Sequence, residues 1–171
     1  MNIRRATLED AFRVASIHVD SWKKAYREII PRDYIERITH QTRLTYWKEV
    51  LATNNLAVFV YVDDAGNILG WAATGPDREE PDVVTTAEIQ AMYVDPEHIG
   101  KGIGSRLLEY IVAELVTVGT SRVTVWVLER NEPAMRFYHT RGFLSQPIKS
   151  IMVERGGVHL VELKLEMRLA G

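Results

Sequence analysis

The 171-residue chain is 46% hydrophobic and 26% charged, which excludes intrinsic disorder and fits one globular domain over residues 1–171, able to bury roughly 70% of its unfolded surface. Its 21 Lys plus Arg against 23 Asp plus Glu give a formal charge of −2, which excludes a broad basic face for nucleic acid but leaves room for a local cationic pocket. There is no cysteine, so disulfides, thiolate catalysis and cysteine zinc sites are excluded too.

Residues 2–6 alternate as a short strand, and Thr7, Leu8, Glu9 and Asp10 follow as the cap of a helix running through Trp22 and Tyr26. Residues 1–10 carry Arg4, Arg5, Glu9 and Asp10 with no apolar stretch, so no signal peptide is expected. The densest apolar run, 56–62, is too short to cross a bilayer, and a cytoplasmic protein without a membrane partner is expected. Pro31 opens a helical stretch over 32–50 whose apolar face, from Tyr34 and Ile35 to Trp47, is broken and predicts two helices. Residues 56–62 and 68–74 read as a hairpin around the 63–67 loop, and 87–94 as a third strand beyond a Pro-containing acidic loop.

Apolar residues at 103, 107, 108, 111, 112 and 115 give one face of a helix over 102–118. Residues 122–128 are Val-rich and strand-like, 133–141 form a short helix closed by Gly142, and 151–153 with 159–169 form a final hairpin. The order predicts an α/β or α+β fold with a mixed sheet and packed helices, without internal repeats. The final strands leave monomer and homodimer both open, since they could pair within a chain or between chains.

The most informative segment is the strand containing Met92, Tyr93 and Val94, followed by Ile99-Gly100-Lys101-Gly102-Ile103-Gly104-Ser105 at the start of a helix. Glycines allow close approach of the backbone, and a helix start presents unpaired N–H groups with about half a positive charge, which together suit a phosphate or pyrophosphate. Lys101 and Arg106 are placed to add charge. A P-loop needs Ser or Thr after Gly-Lys, whereas Gly102 follows Lys101, and a Rossmann fingerprint needs glycine where Ser105 stands.

This turn resembles the pyrophosphate loop of the GCN5-related N-acetyltransferase (GNAT) superfamily, and Asn131, Ala134, Phe137-Tyr138 and Gly142-Phe143 are similar to its second motif. Both occur in the family's order and separation, and the resemblance extends over nearly the whole chain. It implies a GNAT-like, mainly antiparallel sheet with a splayed central strand. It also implies acetyl transfer from acetyl-CoA to a primary amine in a ternary complex, without a metal. One departure is Ile99, where the family has Arg or Gln. That puts the side-chain contribution to cofactor binding in question, with Lys101 as a partial substitute.

The resemblance implies a cofactor set of Met92, Tyr93, Val94, the turn Ile99, Gly100, Lys101, Gly102, Ile103, Gly104 and Ser105, and Asn131, Ala134, Phe137 and Tyr138. An alkylammonium near pKa 10.4 leaves only about one amine in 10³ nucleophilic at neutral pH, so a base helps. Glu88 matches the base of the family's histone-modifying branch, roughly 13 Å along the strand from the thioester contact, where a water relay is more natural than contact. The alternative is a charged residue at a strand start. Tyr138 matches the family's donor to the departing thiolate, the alternative being a packed aromatic. Phe137 reads equally as an anchor of its helix in the core, and Asn131 as that helix's cap.

Trp22 and Tyr26 are acceptor-pocket candidates on the resemblance and core residues by helical spacing alone. His18, His40, His98, His139 and His159 form no close-spaced metal pair, and none is assigned. By strict alternation Ile89, Ala91 and Tyr93 share one strand face and Gln90, Met92 and Val94 the other. A small-molecule amine is the leading acceptor. A protein lysine or N-terminus is the enzymatic rival, and an acyl-CoA sensing module without turnover, suggested by Ile99, is the non-catalytic one.

Overall fold

The computed structural model describes residues 2–169. In chain order the elements are β1 (Asn2–Arg5), a 3-10 turn (Leu8–Asp10), α1 (Ala11–Tyr26), α2 (Arg32–Glu36), α3 (His40–Thr53), β2 (Ala57–Val62), β3 (Ile68–Pro76), β4 (Thr86–Val94), α4 (Ile103–Thr117), β5 (Arg122–Leu128), α5 (Glu132–His139), β6 (Leu144–Arg155) and β7 (Val158–Arg168). The seven strands form one sheet ordered β1-β2-β3-β4-β5-β7-β6. Every neighbouring pair is antiparallel except β4–β5, which is parallel. This is the mixed, mainly antiparallel α/β sheet expected from the sequence, with β7 inserted between β5 and β6.

Local chemistry sets the element ends. The Asp10 carboxylate accepts from Thr7 N at 2.7 Å and from the two Arg4 Nη groups at 2.7 and 2.9 Å, which fixes the start of α1 against β1. Thr39 Oγ1 accepts from Thr42 N at 3.2 Å and begins α3, so the broken apolar pattern resolves into α2 and α3. Helices cover both sheet faces. Val14 and Ile17 of α1 and Trp47 of α3 pack with Val58, Val60 and Trp71 on one side. Leu108 of α4 and Tyr138 of α5 pack with Val123, Val125 and Phe143 on the other.

Two expectations are corrected. In β4, Ala91 pairs with Ala73 and Ile89 with Thr74, so Gln90 is an extra, bulged residue. One inserted residue inverts the faces: Ile89 and Met92 pack in the cluster around Leu108, whereas Ala91 and Tyr93 pack in the cluster around Trp71. The strict alternation that grouped Ile89 with Ala91 and Tyr93 therefore fails at the bulge. Strand β6 also runs well beyond the expected 151–153, because it keeps pairing with β7 past a register shift between Ser145 and Ser150.

Candidate active site

The bulge sits where the sheet divides. β4 pairs with β5 only from Thr86↔Arg122 to Ile89↔Val125, while β3 follows β4 to Val94 and β7 follows β5 to Leu128. Beyond Ile89 the two strands part, leaving the facing backbone edge of β4 without a strand partner. A cavity of about 540 Å³ occupies the fork. Its walls are residues 90–94, Val125, Trp126 and Val127, the end of α1 with Ser21, Lys24 and Tyr26, and Asn131, Ala134, Phe137 and Tyr138 at α5. Ser21 Oγ donates to Val94 O at 2.9 Å, tying α1 to the open end of β4.

A second cavity of about 270 Å³ adjoins the first and shares Val94, Ile99, Gly104 and Phe137 with it. Its floor is the glycine turn. Gly100 and Gly102 hold φ of 83° and 80°, a left-handed conformation that disfavours a side chain, and a Cβ on either would meet nothing within 4 Å. Gly102 is the N-cap of α4 and no side chain caps that helix, so its first N–H groups stay available. At Gly104 the requirement is close approach, since a Cβ would lie 3.3 Å from Phe137 Cε2.

The other sequence candidates separate clearly. Ile99, 58% exposed, lines both cavities, Ser105 lines the smaller one, and Ile103 is buried beneath it. Lys101 is exposed and lines neither cavity, and Arg106 donates from Nη1 to Tyr61 Oη at 3.1 Å. The guanidinium that does line the smaller cavity is that of Arg141, which sequence reasoning missed. The one signal for it was a basic residue beside Gly142.

Aromatic and amide side chains gather at the deep end of the fork. Tyr138 lines the larger cavity and is buried, with ring centroids 5.1 Å from both Phe137 and Phe143. Burial, with the Tyr26 phenol nearby, pushes the Tyr138 phenol up, so it holds its proton at neutral pH. Burial likewise raises Tyr26, against the opposing effect of hydrogen bonding with Asn131 and Tyr93. Asn131 Oδ1 also accepts from Ala134 N at 3.3 Å, so it caps α5 while facing the cavity. Tyr26 is on the wall, whereas Trp22 packs against it with ring centroids 4.7 Å apart and planes tilted by 59°, and is not among the lining residues.

Glu88 lies on the paired stretch of β4, fully buried and off the cavity wall. Its carboxylate accepts from Arg78 N at 2.9 Å and Arg78 Nε at 2.8 Å, with a further bond from Nη2. Around it is a buried polar network that the sequence did not reveal. Lys164 Nζ lies 2.9 Å from Asp77 Oδ2 and 2.7 Å from Glu79 Oε2, and Thr124 Oγ1 donates to Asp77 at 2.6 Å. Desolvation, which acts to raise the Asp77 carboxyl, is outweighed by Thr124, Lys164 and the Glu79 N–H, which hold it down at about 2.

His18 accepts from Trp47 Nε1 at 3.0 Å on Nδ1, and burial, helped by Arg43, pushes it down to about 3. It is a neutral packing group. Among the described residues there is no group of three or more His, Cys, Asp or Glu suited to a metal, and no helix long and apolar enough to cross a membrane.

Residues 19–143 match the Acetyltransferase (GNAT) family. The chain belongs to this family. As a GNAT chain it is similar over 96% of its length to the uncharacterized N-acetyltransferase YuaI of Bacillus subtilis (strain 168), at 34% identity and 91% coverage of that relative. It is 26% identical to the spermidine N(1)-acetyltransferase of Thermoplasma acidophilum, with 84% of this chain and 88% of the relative aligned. Among solved structures, the phosphinothricin acetyltransferase of Sinorhizobium meliloti in complex with AcCoA superposes with a TM-score of 0.77 at 20% identity, covering 99% of this chain and 88% of that one. The PaiA N-acetyltransferase of Thermoplasma acidophilum in complex with coenzyme A gives 0.75 at 20% identity, covering 98% of each. In this GNAT fold the forked strands and the glycine turn face one continuous set of walls, with the Tyr138 hydroxyl-bearing ring on one of them.

Proposed function

We propose that this GNAT chain transfers the acetyl group of acetyl-CoA to the primary amine of a small molecule, both substrates being bound together. The observation that carries this reading is the pair of adjoining cavities, a glycine cradle with open backbone donors leading into an apolar fork. The residues present fit the cofactor. Gly100, Gly102 and Gly104 with Ile103 and Ser105 suit its pyrophosphate, the parted edge of β4 from Met92 to Val94 suits its amide-bearing arm, and Asn131, Ala134 and Phe137 form the opposite wall.

Bound acetyl-CoA supplies a thioester carbonyl as the electrophile. From the neutral amine, the bond from nitrogen to the acetyl carbon forms as the C–S bond breaks, so one proton must leave the nitrogen and one must reach the sulfur. An ammonium must first give up a further proton. Backbone N–H groups around Met92 and Val94, free of a β5 partner, are the donors for the carbonyl oxygen as charge develops on it. Tyr138, kept protonated by burial, serves the sulfur. Full transfer from so weak an acid to a thiolate near pKa 8.5 is uphill, so the hydroxyl acts chiefly as a hydrogen-bond donor.

Glu88 takes the amine proton through water. A carboxylate has roughly four lone-pair sites, and Arg78 fills three of them, leaving a place on Oε2 for the relay. Tyr26 on the wall, with Trp22 stiffening it from behind, borders the acceptor. A small amine is favoured over a peptide because two relatives aligned over 84% of this chain are named for spermidine and L-amino acids.

A thiol-release screen over polyamines, amino acids, aminoglycosides and short peptides tests the reading. Turnover with a free amine and intersecting initial-velocity lines are expected. Turnover confined to peptides would move the acceptor to protein, parallel lines would replace the ternary complex by a ping-pong route, and silence despite acetyl-CoA binding would make the chain a sensor.

A further inference from the structure

Resting on the acetyl-CoA reading, we propose that Arg141 is a cofactor-binding residue, supplying to the pyrophosphate the cation that Ile99 leaves out of the turn. Position 99 opens the glycine segment with an exposed aliphatic side chain, Lys101 and Arg106 do not line the cradle cavity, and Arg106 donates to Tyr61 Oη. Arg141 reaches the same cavity from the C-terminal side of α5. Its guanidinium carbon lies 3.9 Å from the centroid of Phe137, Nη1 donates to Phe137 O and Thr140 Oγ1 at 3.0 Å each, and Nη2 donates to Ser105 Oγ on the first turn of α4. The side chain is thus held against the cradle by protein contacts, and a side chain already fixed in place loses less entropy on binding.

The electrostatics point the same way. Arg4, Arg13, Arg78 and Arg122 each pair with a carboxylate, whereas among the described residues no carboxylate pairs with Arg141. Of the roughly five N–H donors of a guanidinium, Nε–H and a second Nη2–H have no acceptor among the described residues. An uncompensated, oriented guanidinium beside free helix N–H groups fits a phosphate-type dianion better than any neutral group. The partners on Ser105 and Phe137 make it a built arrangement rather than a surface arginine, since both residues wall the cavity themselves.

Calorimetric titration of CoA and of 3′-dephospho-CoA into the ligand-free protein tests this. Arg141→Ala should weaken both ligands about tenfold or more. Arg141→Lys, which keeps the charge without the fork, should lose less, and Ile99→Arg added to Arg141→Ala should recover part of the affinity. Melting of the unliganded variants controls for folding, with Arg141→Lys as the milder change. Unchanged affinity in Arg141→Ala would overturn the proposal, as would a loss confined to CoA, which would place the guanidinium on the 3′-phosphate. If the unmutated chain binds neither ligand, the acetyl-CoA reading fails; if it binds both and Arg141→Ala equals it, only the role of Arg141 fails.

Discussion

The two ends of the β4–β5 pair differ in what holds them. From Thr86 to Ile89 the strands are hydrogen-bonded, and the face beside them is filled by the buried groups Asp77, Lys164, Thr124 and Glu88, with the exposed Arg78 paired to Glu88. Beyond the Gln90 bulge the same strands share no bonds and are separated by a cavity walled by Tyr138, Phe137 and Trp126. A parallel pair that parts along its length loses backbone partners at the open end. The closed end carries side-chain charges, and at the open end the backbone groups on the facing edge of β4 have no strand partner.

The largest effect is expected from breaking the closed end. Lys164→Met leaves Asp77 and Glu79 without their shared cation, a loss of about 3–5 kcal/mol for a disrupted buried pair and roughly 10 °C in Tm. The pH dependence carries the signature. Because the folded Asp77 carboxyl is held at about 2 against an unperturbed 3.8, its stabilisation is full above the unfolded value and disappears as pH falls through the folded one. Lys164→Met should flatten the fall in Tm across that window, and a melting curve that keeps the parent's acid profile would show that the network is not what fastens this end.

Glu88 stands at the boundary and can belong to either end. As the relay base its replacement by Gln should lower kcat/KM by about 10²-fold, most steeply at low pH where free amine is scarcest. If the residue instead only anchors Arg78, the loss will be the same at every pH and will follow a lowered Tm. Rate profiles from acid to alkaline pH, beside thermal melts, separate the two.

Tyr138→Phe probes the open end alone and should be the mildest. The ring keeps its contacts with Phe137 and Phe143, so folding and acetyl-CoA affinity should persist. With the hydroxyl acting as a hydrogen-bond donor, turnover should fall about tenfold, or about 1.4 kcal/mol. Full turnover under conditions where chemistry limits the rate would leave Tyr138 as a packing residue.

What the sequence by itself determined was local in origin. The glycines at 100, 102 and 104 ahead of an apolar-periodic helix specify a cradle at a helix start, because positive φ and a missing Cβ are properties of single residues. The one-sided apolar pattern likewise specified α4, and the Val-rich run specified β5 with its observed bounds. The tertiary structure decided everything that depends on counting across strands or on meetings between distant segments. Strand alternation is a two-residue period, so the single extra residue at Gln90 inverted the faces of β4, and only its pairing with β3 reveals it. Lys164 meets Asp77 across 87 residues, Glu88 meets Arg78 through the turn of a loop, and Arg141 meets Ser105 across 36. No local propensity encodes such contacts, since each exists only once the sheet order and the helix packing have brought the segments together.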